Sequence, residues 1–329
     1  MVSWEFLVQR KLEAIEKALT YLSSFEANCA LCPRKCQVNR FSSQLGVCQT
    51  GNLARVSTAL LHYGEEPVLS GRGGWSQARG SGTVFFAGCN LKCLFCQNYQ
   101  LSWLNEGELV TDEQLAGMML ELQNQGALNI NLVSPTHVIL PILRALKIAY
   151  QQGLNIPLVY NSNGYDSLEV IEQLRGIIDI YLPDLKYFSS EFSRKYSAAP
   201  DYFEHARLAI QEMYIQQPDL ILDENEVARK GLIIRHLVLP GGQDDSIKVL
   251  EWIAENLSTS VGLSLMSQYH PCFRAPAELR REITAEEYRK VMEKAIELGF
   301  ENLFLQPEPF SKDEHLLPDF HRKNPFRWK

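Results

Sequence analysis

Residues 83–98 read TVFFAGCNLKCLFCQN, and this stretch predicts both the fold and the chemistry of the chain. Residues 83–86 have the pattern of a buried strand, and Cys89, Cys93 and Cys96 follow in one short loop. Three thiolates can hold an iron–sulfur cubane by three of its four irons, whereas a structural cluster usually has four Cys ligands. We therefore expect the fourth iron to bind a molecule other than protein, namely a cosubstrate.

Zinc is the alternative at this loop, because Cys pairs separated by two residues are common zinc ligands. Two details favour the cluster. The spacing here is three residues and then two, whereas zinc ribbons tend to repeat pairs two residues apart, and the only later cysteine is the solitary Cys272. The sequence leaves the role of Cys272 open, and a small buried side chain is its simplest interpretation.

Four further cysteines precede this loop. They are Cys29, Cys32 and Cys36 in the run CALCPRKC, and then Cys48 after a polar stretch. Four thiolates in this arrangement suit tetrahedral zinc or a fully ligated iron–sulfur cluster, and a site closed by protein ligands is more often structural than catalytic. Unligated core cysteines are disfavoured because Pro, Arg and Lys make this loop too polar for a packed core. The metal stays open between zinc and a second cluster.

Composition excludes several classes of protein. The chain has 329 residues, of which 46% are hydrophobic, enough for one large domain or one domain with an appendage. With a net charge of −7, the protein lacks the wide positive field of a nucleic-acid-binding protein. Residues 321–329 are locally basic and are expected to form a solvated terminus. No apolar stretch approaches the ~20 residues that span a membrane, and the charged N-terminus does not resemble a signal peptide.

Cysteine usage then bears on the compartment. Eight cysteines clustered at metal-ligand spacing favour a reducing environment and metal binding over disulfides. We therefore expect a cytoplasmic protein with no nucleic-acid or membrane partner.

Helix-like and strand-like segments alternate after Gly82, which is typical of a parallel sheet with helices outside it, either doubly wound or closed into a barrel. Strands are predicted from short apolar runs at 83–86, 129–133, 158–160, 178–182, 232–239, 262–266 and 303–305. The clearest helices are 111–125 and 284–298, each opening with a capping box, and an amphipathic helix is predicted at 4–24.

Unusual polar residues follow these strands at the edge where ligands bind in both kinds of fold. The runs are the Cys loop, Ser134-Pro-Thr136-His137, Asn161-Ser-Asn163-Gly164 and Asp184-Leu-Lys186.

The Cys89 loop resembles that of the radical S-adenosylmethionine (SAM) superfamily, in which the open iron chelates SAM. The runs CQNY at 96–99, DLK at 184–186, RHLVLPG at 235–241 and QYHP at 268–271 are similar to the pyruvate formate-lyase activating enzymes and their homologues. One branch of these also carries the segment around Cys29. The resemblance implies an α/β fold, a partial (β/α)6 radical SAM barrel at 81–310, with an N-terminal helix and Cys-rich metal-binding extension at 1–80 and a C-terminal tail at 311–329.

The resemblance also implies residue roles around SAM. Asp184 and Lys186 would lie along the ribose and carboxylate, where Asp accepts from hydroxyls and Lys pairs with the carboxylate. Arg235 would approach SAM with a guanidinium suited to holding a carboxylate by two bonds. His270 would lie near the adenine, with Gln268 as the alternative. A surface ion pair is the alternative for the DLK run, and a salt bridge at the barrel mouth for the arginine.

Further cofactor contacts are implied closer to the Cys loop. Phe95 would shield the cluster and flank the adenine, and Asn98 belongs to the CQNY run. Many relatives have a Gly-Gly-Glu-like turn for the SAM amino group, whereas this chain has no carboxylate at that turn. Carbonyls near Ser134 and the hydroxyl of Thr136 could accept from the ammonium instead, although the threonine is equally readable as a helix N-cap. The turn at Asn163 suits close backbone approach to a ligand.

The mechanism implied is reductive cleavage of SAM at a [4Fe-4S] cluster to a 5′-deoxyadenosyl radical, which abstracts hydrogen from a substrate. The expected substrate is a partner protein, as in activating enzymes, and the expected electron donor is flavodoxin or ferredoxin. Two alternatives are radical SAM chemistry on a small molecule and a non-enzymatic zinc or iron–sulfur scaffold. No acidic or basic side chain is required for hydrogen abstraction, so we assign no catalytic side chain.

Overall fold

The computed structural model describes residues 4–72, 79–306 and 317–326. Within these ranges, ten strands form one sheet. The strands are β1 (Ala54–His62), β2 (Ser81–Phe86), β3 (Glu108–Val110), β4 (Ile130–Val133), β5 (Leu158–Asn161), β6 (Ile180–Tyr181), β7 (Ile221–Leu222), β8 (Ala228–Leu237), β9 (Gly262–Met266) and β10 (Asn302–Leu305). The α-helices are α1 (Trp4–Leu22), α2 (Pro67–Ser70), α3 (Tyr99–Ser102), α4 (Asp112–Asn124), α5 (Ile139–Gln151), α6 (Leu168–Gln173), α7 (Ser190–Ser197), α8 (Tyr202–Gln216), α9 (Gln243–Asn256) and α10 (Ala285–Glu297).

The sheet has the order β10-β9-β8-β6-β5-β4-β2-β1-β3, with β7 beside β8. Neighbours along the path β2-β4-β5-β6-β8-β9-β10 run parallel. By contrast, β1 is antiparallel to β2 and β3, and β7 is antiparallel to β8. The seven predicted strands are all present, and the architecture is the expected partial barrel of parallel strands with helices between them. The carboxyl ends of the parallel strands therefore share one edge.

Local sequence signals explain where two of the long helices begin. Thr111 caps α4 through its hydroxyl, which accepts from the Gln114 amide at 3.3 Å, while the Gln114 side chain accepts from the Thr111 amide at 2.8 Å. Thr284 and Glu287 form the same reciprocal pair at the start of α10. Both predicted capping boxes are thus confirmed. The predicted N-terminal helix is also present, and it ends at residue 22.

Strand β1 was not predicted, and it changes how the N-terminal part of the chain joins the barrel. Its register on β2 runs from Val56 opposite Phe86 to His62 opposite Ser81. The chain then turns into the barrel, where Val68 and Leu69 pack in one cluster with residues of β5, β6 and β8. Residues 62–70 therefore fill part of the barrel interior. The domain boundary at residue 80 stays a prediction.

The C-terminal residues 317–326 contact the barrel, while residues 321–324 of the basic run are exposed, as expected. Residues 311–316 and 327–329 of the predicted tail lie outside the described residues. The side chain of His321 is exposed, but Phe326 is only 7% exposed. Its ring centroid lies 4.4 Å from that of His62 and 5.5 Å from that of Phe85 on β2. The basic charge of residues 321–329 indicated a solvated segment and gave no sign of this packing. The rings of Phe320 and Phe326 pack against the sheet and hold residues 317–326 there. We call residues 317–326 the C-terminal segment.

In the ranges that the structure describes, every helix is too short or too polar to cross a lipid bilayer.

The buried His236 on β8 predicts a pH dependence of stability. Its Nδ1 lies 2.6 Å from the Leu185 carbonyl and its Nε2 2.8 Å from the Ser246 hydroxyl. Burial lowers the pKa of His236 from 6.5 to about 4. As the pH falls below 6.5, the unfolded chain takes up this proton and the folded chain does not, so acid favours unfolding.

We expect the wild type to lose about 2 kcal/mol more of its free energy of unfolding than His236→Gln between pH 7 and pH 5. Urea unfolding at both pH values measures this difference. Equal losses in the two proteins would contradict a neutral buried imidazole.

Candidate functional site

The Cys loop follows β2 and is clamped from two sides by backbone hydrogen bonds. The Leu94 amide donates to the carbonyl of Tyr196 at 2.8 Å, and the Arg274 amide donates to the Leu94 carbonyl at 3.0 Å. The indole of Trp103 donates to the Cys93 carbonyl at 2.9 Å. The loop is therefore positioned by the end of α7, by the segment after β9 and by the residue after α3.

Each thiol of the loop has a polar donor. Cys89 accepts from the Asn163 side-chain amide at 3.3 Å, Cys93 from the Ser197 hydroxyl at 3.0 Å and Cys96 from the Ser102 hydroxyl at 3.2 Å. Burial raises the pKa of all three free thiols, that of Cys96 to about 12. Donors aimed at sulfur stabilise thiolate ligands, and metal binding removes the protons.

Asp184, Lys186 and Arg235 form one ion-pair network beside this loop. Arg235 Nε lies 3.1 Å from Asp184 Oδ1, and the Lys186 ammonium contacts the other carboxylate oxygen. Burial acts to raise the pKa of Asp184, but the two cations hold it below its ordinary value. Arg235 also donates to the Asn161 side-chain carbonyl at 3.0 Å. The structure thus brings together the three residues that the resemblance pairs with SAM.

Glu65 joins this network and was missed by sequence reasoning. Its carboxylate lies 3.2 Å from Arg235 Nη1 and accepts from Asn131 Nδ2 at 3.1 Å. Burial raises the pKa of Glu65 above its ordinary value, although Arg235 opposes the shift. The run Gly64-Glu65-Glu66-Pro67 reads as an exposed polar turn, because nothing local in it signals that the chain enters the barrel here.

A cavity of about 230 Å³ lies between the Cys loop and the ion-pair network. The predicted residues that line it are Cys93, Phe95, Cys96, Asn98, Asp184, Lys186 and Arg235. Residues not predicted at the site also line it, among them His62, Glu65, Phe85, Asn161, Met266, Tyr269, Pro318 and Phe326. The ring of Phe95 packs edge-on against Tyr269, with the centroids 5.7 Å apart.

The turn after β4 directly follows Val133, which lines the cavity. Ser134 has φ +59°, a left-handed conformation that favours glycine, and its amide donates to the Asn161 carbonyl at 2.8 Å. The buried hydroxyl of Thr136 donates to Asp166 at 2.6 Å. That hydroxyl makes no capping bond to α5 in the part of the chain described. The N-cap alternative is therefore wrong, whereas acceptance from the SAM ammonium by Thr136 stays a prediction.

The segment after β9 turns different side chains toward the cavity than the resemblance implied. Gln268 and Tyr269 line the cavity, whereas His270 is partly exposed and lies 3.4 Å from Glu282. Gln268, the alternative considered at this position, is therefore the better-placed side chain. Cys272 lies behind the loop, where its thiol contacts the Phe95 carbonyl at 3.4 Å, and burial raises its pKa to about 11.

The second Cys set surrounds a small cavity of its own, of about 10 Å³. Cys29, Cys32, Cys36 and Cys48 all line it. Both sets are free thiols. Among the residues described, no group of three His, Cys, Asp or Glu side chains is placed to hold a single metal ion.

Comparison with known proteins places this geometry in a family. The sequence model of the radical SAM superfamily matches residues 83–214. The uncharacterized protein MJ0674 of Methanocaldococcus jannaschii is 32% identical over 279 residues, which cover 82% of this chain and 74% of that protein. Residues 83–214 therefore form a radical SAM domain, and this family implies a [4Fe-4S] cluster and SAM as cofactors.

Solved structures of lower similarity were also found. Native anSMEcpe with bound AdoMet and the Cp18Cys peptide has a TM-score of 0.46 and 15% identity, and the match covers 67% of this chain and 60% of that one. The chain therefore spans less than two thirds of that protein. Methylornithine synthase has a TM-score of 0.40 and 14% identity, with 94% of this chain and 80% of that one covered.

Gly164 predicts a measurable constraint on the site. It has φ +79°, and a Cβ built there would lie 2.1 Å from the Asp184 carbonyl oxygen and 2.8 Å from the Tyr202 hydroxyl. Gly153 has φ +98° with open space around it, so it serves as a control for backbone strain alone.

We expect Gly164→Ala to lower the free energy of unfolding by about 3 kcal/mol or more, and Gly153→Ala by about 1–2 kcal/mol. Urea unfolding measures both values. Equal losses would show that the close approach to Asp184 adds nothing to the strain.

Proposed function

We propose that this protein is a radical SAM enzyme that abstracts a hydrogen atom from a substrate held in the 230 Å³ cavity. One observation carries the proposal. Cys93, Cys96 and the ion-pair network of Asp184 all line the same cavity. When bound, the cluster and SAM supply the electron and the 5′-deoxyadenosyl radical. The protein supplies ligands, orientation and exclusion of water.

The residues present fit a cluster with SAM. Three thiols with donors at sulfur suit cluster ligation by Cys89, Cys93 and Cys96. Lys186 and Arg235 are cations that could form charge-assisted hydrogen bonds with the SAM carboxylate. Both cations are already paired with Asp184, so a ligand carboxylate would compete with that aspartate for them.

The ammonium of SAM needs acceptors, and we assign this role to backbone carbonyls near Ser134, which follows Val133 in the cavity wall. Glu65 is a carboxylate that lines the same cavity. Because Glu65 forms an ion pair with Arg235, we propose that Glu65 positions the Arg235 guanidinium.

We propose three further features on the strength of the resemblance to activating enzymes. The substrate is a partner protein, the electron donor is flavodoxin or ferredoxin, and Cys29, Cys32, Cys36 and Cys48 form a second metal site.

The proposed chemistry predicts SAM cleavage that depends on the Cys loop. Iron- and sulfide-reconstituted wild type, reduced with dithionite under anaerobic conditions, is expected to convert SAM to 5′-deoxyadenosine. The triple variant Cys89/Cys93/Cys96→Ser is expected to give background levels only, because its cluster ligands are lost. Cys272→Ser is the matched control and is expected to retain activity, since that thiol contacts only the Phe95 carbonyl among its described partners. Chromatography of the quenched reaction measures the product.

A wild type that holds its cluster but neither binds SAM in equilibrium dialysis nor cleaves it would contradict the proposal and favour a scaffold role.

One observation favours a second candidate, radical SAM chemistry on a small molecule. The C-terminal segment walls the cavity with Pro318 and Phe326. It is anchored to α3 through Gln100, whose side-chain carbonyl accepts from the Phe320 amide at 2.9 Å. A protein segment entering from this side would have to displace the C-terminal segment, whereas a small molecule would not.

The small-molecule candidate predicts which cell-extract fraction stimulates 5′-deoxyadenosine formation. We expect the low-molecular-mass fraction to stimulate it while hydrogen exchange in residues 317–326 stays slow, because the segment remains in place. For a protein substrate, the macromolecular fraction stimulates formation and exchange in the segment becomes fast, because the segment is displaced. Mass spectrometry of peptides from this segment reports the exchange.

A further inference from the structure

The four-Cys set has the properties of a buried metal site built into the protein interior. Cys29, Cys32 and Cys48 are buried, and all four thiols line one small cavity. Burial raises the pKa of Cys32 to about 12, with the neighbouring thiols adding to the shift. Metal binding at these thiols would therefore have to displace their protons, because the thiolate is the form that ligates a metal.

A buried arginine adds a second, independent observation. Arg40 is 3% exposed, and its described partners are the Cys29 sulfur at 3.5 Å, the Gly51 carbonyl at 2.7 Å and the His137 carbonyl at 2.6 Å. A buried guanidinium is costly unless negative charge compensates it. Four thiolates around a metal centre carry net negative charge and would supply that compensation beside the arginine.

The placement of the four thiols bears on which metal centre fits. A zinc ion needs its four sulfurs gathered about one point, each about 2.3 Å from the ion. In a cubane each thiolate binds a different iron, and the four sulfurs lie further apart. Among the described residues no three Cys side chains are placed to hold a single metal ion, although all four of these thiols line one cavity. This placement favours a cluster over one zinc ion.

Hydrogen bonds to sulfur are a further feature of the set. The Val47 amide donates to the Cys36 sulfur at 3.5 Å, and Gly46 lies so close that a Cβ there would be 2.9 Å from the same sulfur. Donors to sulfur and shelter from solvent are what tune the potential of an iron–sulfur cluster.

The set adjoins the Cys loop of the active site directly. A Cβ on Gly88 would lie 2.5 Å from the Cys48 carbonyl oxygen. Asn90 lines the four-Cys cavity, and its side-chain carbonyl accepts at 2.8 Å from the Asn163 amide that also contacts the Cys89 sulfur. Asn90 therefore lies between the four-Cys cavity and the contacts of Cys89.

We propose that Cys29, Cys32, Cys36 and Cys48 hold a second, fully ligated [4Fe-4S] cluster, close enough to the Cys89 loop to exchange electrons with a cluster there. One electron from a low-potential protein donor reduces this second cluster, which is reoxidised when it passes the electron on. This role deepens the proposed function. The presence of the second cluster, however, can be tested without SAM chemistry.

Metal content and spectroscopy test the proposal on the full chain, purified and reconstituted anaerobically. We expect about eight iron and eight sulfide per chain in the wild type, and about four of each in Cys89/Cys93/Cys96→Ser and in Cys29/Cys32→Ser. Cys272→Ser is the control and should keep the wild-type content. After dithionite reduction, the electron paramagnetic resonance spectrum of the wild type should show spin coupling between two clusters, and each variant should lose it.

Several outcomes would overturn the proposal. About one zinc and four iron in the wild type would assign zinc to the four-Cys set. About four iron in the wild type and none in Cys89/Cys93/Cys96→Ser would leave that set without a cluster. The latter variant reports on the four-Cys set even if Cys29/Cys32→Ser fails to fold. Eight iron without SAM cleavage would refute the proposed function and keep the second cluster.

Discussion

Backbone pairing between β8 and the chain just beyond β6 is the constraint on which the site depends. The amide of Arg235 donates to the Pro183 carbonyl at 2.9 Å, and the Leu185 amide donates back to the Arg235 carbonyl at 2.8 Å. The Asp184 amide donates in turn to Ser162, just after β5. These backbone bonds join three neighbouring chain segments. The Asp184 carboxylate and the Arg235 guanidinium are therefore held next to each other by the backbone.

The buried hydroxyl of Tyr202 reinforces this arrangement from α8. It lies 2.8 Å from the carbonyls of both Asn163 and Asp184, and it accepts from the Lys186 amide at 3.0 Å. Buried polar groups that are fully hydrogen-bonded rigidify their surroundings. The cations that face the cavity are thus held by partners that stay fixed, which is the preorganisation that radical chemistry requires.

Sequence reasoning succeeded where the signal was local. Short apolar runs and the capping boxes at Thr111 and Thr284 predicted strands and helix starts, because each depends on residues a few positions apart. It failed where distant segments meet. The sequence around Glu65 is typical of a surface turn, and only the pairing of β1 with β2 shows that this turn enters the barrel. The burial of Phe326 depends on Phe85, which is distant in the sequence. His270 was placed by resemblance alone, which does not tell which of three consecutive side chains faces the cavity.

The contact of Gly88 with the Cys48 carbonyl has a consequence for how the protein matures. Ribosomal synthesis delivers the four-Cys segment before the loop at Cys89, and domains generally begin to fold from the N-terminal side. Asn90, which lines the four-Cys cavity, has therefore not yet been synthesised when Cys29, Cys32, Cys36 and Cys48 leave the ribosome. Those thiols would stay accessible to oxidants and metal ions until β2 and its loop are synthesised and close the cavity around them.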